Sequence, residues 1–260
     1  MKRLRAFTVM ILSCLAAGSG PLRSVWADGT ALPLPPEDQQ YIDAQWGTGV
    51  VGQALPSVPI ADPTVYFPLQ ERSSNFLVTA GKNKGKTQTL TVAKRNRPTN
   101  RQPAWRAALS PTLAGFVQQT AAGDLMMPSV TDSDHDVIVI STPANPFLLK
   151  GMKPGESRTF TQSVSVNYLD DPGRQDYSGT MNGTYTYVGT YQVTVPAGTY
   201  RAILIRLKIE GKVGPAHTED TAYYLFAPQV GVIAMISQED VEAFWIIHID
   251  SRTGKVLASN

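Results

Sequence analysis

The strongest constraint on this chain is a period-two alternation of apolar and polar residues that recurs from Tyr66 to the end of the sequence. Over residues 159–168, Phe160, Val164 and Val166 share one parity, and hydroxyl and amide residues fill most of the other. Successive side chains of a β-strand point to opposite faces, so this alternation is typical of strands with one buried face. Glycine-rich turns separate the segments, and the sequence therefore predicts a mainly β fold built from antiparallel hairpins.

The number of these segments predicts one large sheet of roughly nine to eleven strands. Right-handed twist curls so long a meander, so we expect a large curled antiparallel sheet, half-barrel-like in shape, with a helix in its concavity. Residues 75–94 have the pattern of a hairpin. The segments 193–195 and 203–209 are joined by the short turn Pro196–Thr199, so they should be antiparallel neighbours. Ile205 and the other odd-numbered residues of the second segment are predicted to be buried.

Two segments favour short helices. Residues 36–46 begin with proline followed by two acidic residues, and both residue types suit the first helical turn. Ser110 before Pro111 supplies a capping hydroxyl and a proline at the first helical position, which predicts a second helix over residues 111–121. Near the end of the chain, "DSRTGK" at 250–255 is predicted as the turn of a final hairpin.

The first 27 residues have the three parts of a secretory signal peptide. Three basic residues precede an apolar run, and a small-residue site ends at Ala27. The run is shorter than the roughly 20 residues that span a bilayer, so we expect cleavage before Asp28, no transmembrane helix in the mature chain and a periplasmic location. Two alternatives stay open: an uncleaved anchor, and a lipoprotein acylated at Cys14.

Composition predicts how the chain is divided into regions and excludes some kinds of chemistry. We expect a signal peptide over 1–27, a proline- and glycine-rich arm over 28–64, and a single β-rich domain over 65–260. The signal holds four of the 23 basic residues and none of the 21 acidic ones, so its removal changes the formal charge from +2 to −2. That balance gives no support to nucleic-acid binding. Cys14 is the one cysteine, which excludes disulfides, thiolate catalysis and zinc–cysteine sites from the mature part.

Three motifs resemble those of a known group. They are "KPGES" at 153–157, "VTVPAGTYRAILIRLKIEG" at 193–211 and "YYLFAPQVGVIAMI" at 223–236. They resemble the DUF3108-like group of uncharacterised exported bacterial proteins, over about residues 150–240, mainly through turns in which proline and glycine set the backbone angles. The resemblance implies an envelope location and a β half-barrel similar to lipoprotein-carrier folds. It implies no catalytic residue.

The candidate ligand site consists of aromatic residues. Tyr185, Tyr187 and Tyr191 share one parity of a predicted strand, and within a curled sheet they would line an apolar cavity. Buried tyrosine hydroxyls need hydrogen-bond partners, which leaves room for a ligand. We therefore expect an envelope protein that binds an apolar or amphiphilic ligand, or an envelope partner such as lipid or another protein, without catalysis and without a cofactor. A secreted structural component is a further alternative.

The rival hypothesis is a metal-dependent or other hydrolase. His217, Glu219 and Asp220 place an imidazole near two carboxylates, and His248 would join them if the strands brought it close. The acidic segment 132–136 has carboxylates at alternate positions, but it lacks the glycine and glutamate of a calcium loop. We interpret it as a turn. No metal site is therefore predicted.

A basic run extends from Lys82 to Arg106, with eight basic residues and no acidic one in between. Such a run repels itself unless it is solvated or bound to an anionic partner. In an exported protein the partner would be a lipid head group or an acidic protein face, and Trp105 would anchor the chain at the interface.

Overall fold

The computed structural model describes residues 29–95, 104–243 and 247–259. The predicted signal peptide lies outside these ranges, as do residues 96–103 of the basic run. None of the helices in the described ranges combines the length and the hydropathy of a membrane span.

Two short helices and a first strand precede the main sheet. They are α1 (Pro36–Trp46), β1 (Val51–Leu55) and α2 (Pro63–Tyr66). The sheet itself consists of β2 (Arg72–Ala80), β3 (Thr87–Arg95), β4 (Ala104–Ala108), β5 (Leu113–Gln119), β6 (Leu125–Asp132), β7 (Val137–Leu148), β8 (Ser157–Tyr168), β9 (Gln175–Val195), β10 (Gly198–Val213), β11 (Ala216–Ala227), β12 (Gly231–Ala243) and β13 (Ile247–Ser259). The mainly β prediction and the prediction of one or two short helices are confirmed.

The sheet closes into a barrel of twelve antiparallel strands, so the predicted half-barrel is wrong. Consecutive strands from β2 to β13 pair with one another, and β13 then pairs with β2, for example at Val256 and Leu77. The short strand β1 adds to β9 beyond the part that pairs with β8. Closure pairs the two edges that a half-barrel leaves open, and those edges would otherwise expose unpaired backbone groups.

One face of every strand fills the interior of the barrel. Ile205, for example, is 1% exposed and pairs with Tyr187 on β9 and with Tyr224 on β11. Phe147 and Phe226 pack edge to face in the interior, with 5.4 Å between ring centroids. The prediction that 193–195 and 203–209 belong to neighbouring antiparallel strands is confirmed: they lie on β9 and β10, where 193–195 pairs with 198–200 and 203–209 pairs with 183–190. The hairpin over 75–94 is confirmed as well.

The helix α1 lies on the outer face of the barrel, whereas the sequence predicted a helix in the concavity. Its Asp38 accepts hydrogen bonds from Arg206 and from the Tyr223 hydroxyl, each at 2.7 Å. Both partners alternate with interior residues and so face outward. The indole of Trp46 donates to the Met235 carbonyl at 3.0 Å. The helix has no room inside because side chains from all sides already fill the barrel.

The helix predicted over 111–121 is wrong, because this segment forms β5. The Ser110 hydroxyl accepts hydrogen bonds from the backbone N–H groups of Thr112 and Leu113, at 3.2 and 2.9 Å. A helix cap uses the same hydrogen bonds, but here they close a tight turn between β4 and β5. "DSRTGK" at 250–255 is likewise not a turn, because β13 runs through it.

Candidate functional site

The barrel contains a cavity of about 220 Å³ beside the turns that join β2 to β3 and β4 to β5. Leu109, Leu113 and Met235 supply apolar surface to its wall, and Ser237 and Thr253 supply hydroxyl groups. We call this space the rim cavity. Its combination of apolar and hydroxyl surface is typical of pockets that bind small organic molecules.

Strand lengths and register explain why the rim cavity lies there. The strands β2 and β4 end at Ala80 and Ala108, whereas β12 continues to Ala243. Met235 of β12 pairs with Lys255 of β13, so their side chains lie side by side on the interior face. The long strands therefore present interior side chains at a level where the shorter hairpins already turn back.

Lys255 is the residue with the least ordinary environment in the rim cavity. It is 4% exposed, and its Nζ donates a hydrogen bond to the Leu109 carbonyl. No carboxylate of the described ranges forms an ion pair with it. Burial lowers the pKa of Lys255 to about 8, because removing the ammonium from water disfavours the charged form. Its amine is therefore largely protonated at neutral pH but loses its proton under mildly alkaline conditions.

A second polar group in the wall is incompletely bonded. The side-chain oxygen of Gln88 is buried and has no hydrogen-bond donor in the described ranges. Leaving a buried acceptor without a donor costs about 1–3 kcal/mol. A bound molecule that donates a hydrogen bond to Gln88 would recover part of that cost.

The three predicted ligand-binding tyrosines are all buried, but they do not share one face. Tyr185 and Tyr187 face the interior, and their hydroxyls donate to the carbonyls of Phe147 and Val58 at 3.1 and 3.2 Å. A bulge beside Tyr187 reverses the alternation of β9, so Tyr191 faces outward, where Asp38 influences its titration. Burial first, and then the charge of Asp38, raises the pKa of Tyr191.

The structure separates the residues of the predicted hydrolase site. His217 and Glu219 lie on the outer face of β11, with 3.5 Å between His217 Nε2 and Glu219 Oε1. Both side chains are more than half exposed. Asp220 points to the interior face and is buried. The predicted imidazole and one of its two carboxylates are therefore on opposite sides of the sheet.

The position of His248 is described only by its backbone. His217 pairs with Glu242, and Glu242 pairs with His248. The side chains of Glu242 and His248 lie outside the described part. Among the residues that the structure describes, no group of three or more histidine, cysteine, aspartate or glutamate side chains is arranged to bind a metal ion.

The acidic segment 132–136 forms a turn between β6 and β7, as predicted. Asp132 accepts a hydrogen bond from the backbone N–H of Asp134 at 2.9 Å. Its second oxygen lies 2.6 Å from Nδ1 of His135. The carboxylate is thus occupied by groups of its own turn.

The described part of the basic run is spread over a turn and two strands. Lys82, Lys84 and Lys86 are exposed on the β2–β3 turn, and the Arg95 guanidinium lies 4.5 Å from the centroid of the Phe116 ring. Trp105 packs against the hydrophobic core, so the structure does not place it as an exposed membrane anchor.

A larger and shallower concavity of about 640 Å³ crosses the outer surface of β8–β11. Its wall includes Lys208, Glu210 and Glu219 together with threonine and asparagine side chains. The wall of this concavity thus carries charges of both signs.

Sequence reasoning missed Lys255. The signal was present, because Thr253, Lys255 and Leu257 share the parity that faces inward on β13. It was obscured because "DSRTGK" has the composition of a turn. A lysine in an interior position of a strand is the signal that would have identified the site.

Comparisons with known proteins give only weak similarities. No protein-family model matches the chain, and no curated protein matches it, so the resemblance to the DUF3108-like group is not confirmed. The chain is similar to the hypothetical lipoprotein YmcC of Escherichia coli, with 10% identity over 78% of this chain and 90% of that chain and a TM-score of 0.37. It is also similar to an exported protein of Bacteroides fragilis with a YmcC-like fold, with 12% identity over 78% and 98% of the two chains and a TM-score of 0.36.

Proposed function

We propose that this protein is exported and binds a small apolar or amphiphilic molecule in its barrel without chemically changing it. The observation that carries the proposal is the rim cavity, which combines the apolar groups of Leu109, Leu113 and Met235 with hydroxyl groups. A molecule with a short apolar part and a polar head matches such a wall. Export rests on the signal-like sequence of residues 1–27, and the periplasm is the proposed location.

The absence of catalysis is part of the proposal and rests on the placement of the candidate catalytic groups. His217 and Asp220 face opposite sides of β11, so they cannot act together on one reacting atom. In the rim cavity, Lys255 is paired with a carbonyl group and no second acid or base among the described residues contacts it.

The predicted ligand-binding residues Tyr185 and Tyr187 lie in the packed core of the same barrel. A ligand tail longer than the rim cavity would extend toward the aromatic core that includes Tyr185 and Tyr187. Such a tail would have to displace packed side chains, because both tyrosines are at most 1% exposed. We therefore propose that the head of the ligand and the first part of its tail occupy the rim cavity. A lipid is the proposed source of the ligand, and another envelope protein is the alternative partner.

The test uses 1-octanol and octanoate as probes with a variant that fills the cavity. In Ser237→Phe the added ring would occupy the rim cavity, so we expect the affinity for both probes to fall by about tenfold or more. Ser165→Phe is the matched control, because Ser165 is a half-buried serine on the outer face of β8, and its affinities should equal those of the wild type. Isothermal titration calorimetry measures the affinities.

Native mass spectrometry of the protein purified from its own envelope supplies a second measurement. We expect an added mass in the wild type and in Ser165→Phe that is missing in Ser237→Phe. Failure of the wild type to bind either probe or to carry an added mass would refute the proposed function.

A further inference from the structure

The side chains that the structure describes in the wall of the rim cavity carry positive charge only. Lys255 and Lys82 both line the cavity, and none of the described lining residues is a carboxylate. Lys82 is exposed at the rim, whereas Lys255 is 4% exposed. A buried ammonium without a counter-ion is unstable relative to one that is paired.

The hydrogen bonds of Lys255 are also incomplete. A protonated amine has three N–H donors, and the described residues supply one acceptor, the Leu109 carbonyl. Two donors are therefore left for a molecule in the cavity. Ser237, Thr253 and Ser110 add hydroxyl groups to the same wall, and hydroxyls can also donate to an anionic oxygen.

The apolar part of the wall favours a ligand whose anionic group is attached to an apolar chain. Leu109, Leu113 and Met235 share the cavity with Lys255, and a fully hydrated inorganic ion would leave their surface without a partner. An anionic head on a short apolar chain satisfies both the ammonium and the apolar wall.

We propose that Lys255 is the counter-ion of an amphiphile with an anionic head, a carboxylate or a phosphate, that binds in the rim cavity, and that binding is coupled to proton uptake by the amine. This inference rests on the proposed function and specifies the class of its ligand. Pairing with an anion favours the charged form of the amine, so the site holds its proton more tightly with ligand bound than without it. By linkage, the bound state then takes up a proton at a pH where the free amine is partly neutral.

We assign the proton uptake to the Lys255 amine and not to another group near the cavity. The described part of the cavity wall comes from the β2–β3 turn, β3, the β4–β5 turn, β5, β12 and β13, and within that part Lys82 is the one other charged residue. On β11, the interior residue beside Met235 is Tyr224, and burial followed by the charge of Asp220 raises its pKa. Asp220 itself lies four residues before Tyr224 on β11. Tyr224 therefore stays neutral over the range in which Lys255 titrates.

The experiment compares three probes with the same chain: octanoate, octyl phosphate and 1-octanol. At pH 7 we expect at least one anion to bind about tenfold more tightly than 1-octanol. Above the pKa of the free amine, its affinity should fall by up to about tenfold for each pH unit, whereas the affinity of the alcohol should not change. The head group that binds more tightly distinguishes a carboxylate from a phosphate ligand.

Lys255→Met removes the charge and keeps the length of the side chain. In this variant the preference for anions should disappear while 1-octanol still binds. Lys208→Met is the matched control, because Lys208 is an exposed lysine on the outer face of β10, and its preference should equal that of the wild type. Circular dichroism verifies that both variants are folded.

Proton uptake is measured on the wild type alone and so does not depend on the folding of a variant. Calorimetry at pH 8.5 in two buffers of different ionisation enthalpy should show uptake of a fraction of a proton with the anion and none with 1-octanol. Equal binding of anions and alcohol, an unchanged preference in Lys255→Met, or no proton uptake would overturn the inference. If 1-octanol alone binds and Ser237→Phe blocks it, the proposed function stands and this inference fails; if no probe binds, both fail.

Discussion

Arg206 and Lys255 are two cations held away from solvent, and they differ in the groups to which they are hydrogen-bonded. Arg206 lies 2.7 Å from Asp38, which is itself 1% exposed. Burial alone would lower the pKa of Arg206, but the hydrogen bond and the charge of Asp38 outweigh it and raise that pKa. Lys255 has a carbonyl group in place of a carboxylate, so burial determines its pKa. The contrast indicates that Arg206 secures α1 on the barrel, whereas Lys255 keeps its charge available.

The lowered pKa of Lys255 predicts how stability depends on pH. The ordinary value is 10.5 and burial lowers it to about 8, so between these two pH values the unfolded chain holds a proton that the folded protein has released. The free energy of unfolding therefore rises with pH in this window. The total contribution of Lys255 is at most about 3 kcal/mol. We expect Lys255→Met to be more stable than the wild type at pH 7, and this advantage to shrink toward pH 10.

Urea denaturation of both proteins at pH 7, 8.5 and 10 measures this difference. Lys208→Met controls for the loss of a lysine that is exposed, and its difference from the wild type should not vary with pH. A constant difference for Lys255→Met as well would mean that Lys255 titrates like a lysine in water.

The strand β9 depends on close approaches that only glycine permits. Gly183 lies directly opposite Phe160 of β8, and the Phe160 ring covers the space that a side chain would fill. A Cβ atom on Gly183 would come within 1.9 Å of Phe160 Cζ. Aromatic residues cover glycines in this way where a sheet bends to close.

Gly183→Ala should therefore destabilise the protein by about 1–3 kcal/mol, because the interior is overpacked. The cost should largely disappear in a Phe160→Ala background, which provides the missing space. Thermal and urea unfolding of the four proteins of this double-mutant cycle measure the coupling. Thr184→Ala, at the neighbouring outward position, serves as the control and should change stability by less than about 0.5 kcal/mol. Equal costs of Gly183→Ala in both backgrounds would show that the ring is not the obstacle.

Local residue patterns at the start of a segment predicted some elements correctly and others wrongly. Pro36 followed by acidic residues predicted α1 correctly, because these residues satisfy the helix start without help from the rest of the fold. Ser110 and Pro111 carried the same kind of signal but lie in the turn before β5, since a serine hydroxyl bonds equally well to the N–H groups of a tight turn. The pairing of β5 with β4 and β6 then decides the outcome. Such pairing is non-local and leaves no mark in the segment itself.

Closure of the barrel is a property of the whole molecule that the alternation could not reveal. Alternation specifies which face of a strand is buried, but it does not specify which strands pair. The pairing that closes the barrel joins Leu77 to Val256, which are far apart in the sequence. The rim cavity has the same origin, since it needs two short hairpins to end beside two long strands. Burial of Ile205 and its neighbours was predictable because it depends on one strand. The cavity beside Lys255 was not predictable, because its wall comes from several strands and turns together.

The placement of the candidate metal ligands gives the last prediction, that divalent metals do not bind to the folded protein. Asp220 faces away from His217, and Asp132 is bonded within its own turn. A metal that bound only the folded state would raise the melting temperature by mass action. We therefore expect zinc or calcium in millimolar excess to leave the melting temperature unchanged, as measured by differential scanning calorimetry.

His217→Ala is the informative variant, because the backbone register aligns His217 with Glu242 and His248. His217 is more than half exposed, so the substitution should not unfold the protein. Asp132→Asn tests the acidic turn against calcium in the same way. A shift of several degrees with zinc that His217→Ala abolishes would establish a metal site on the outer face and revive the hydrolase hypothesis. Such a site would lie on the opposite face of the sheet from Lys255, so binding in the rim cavity would have to be tested again with the metal present.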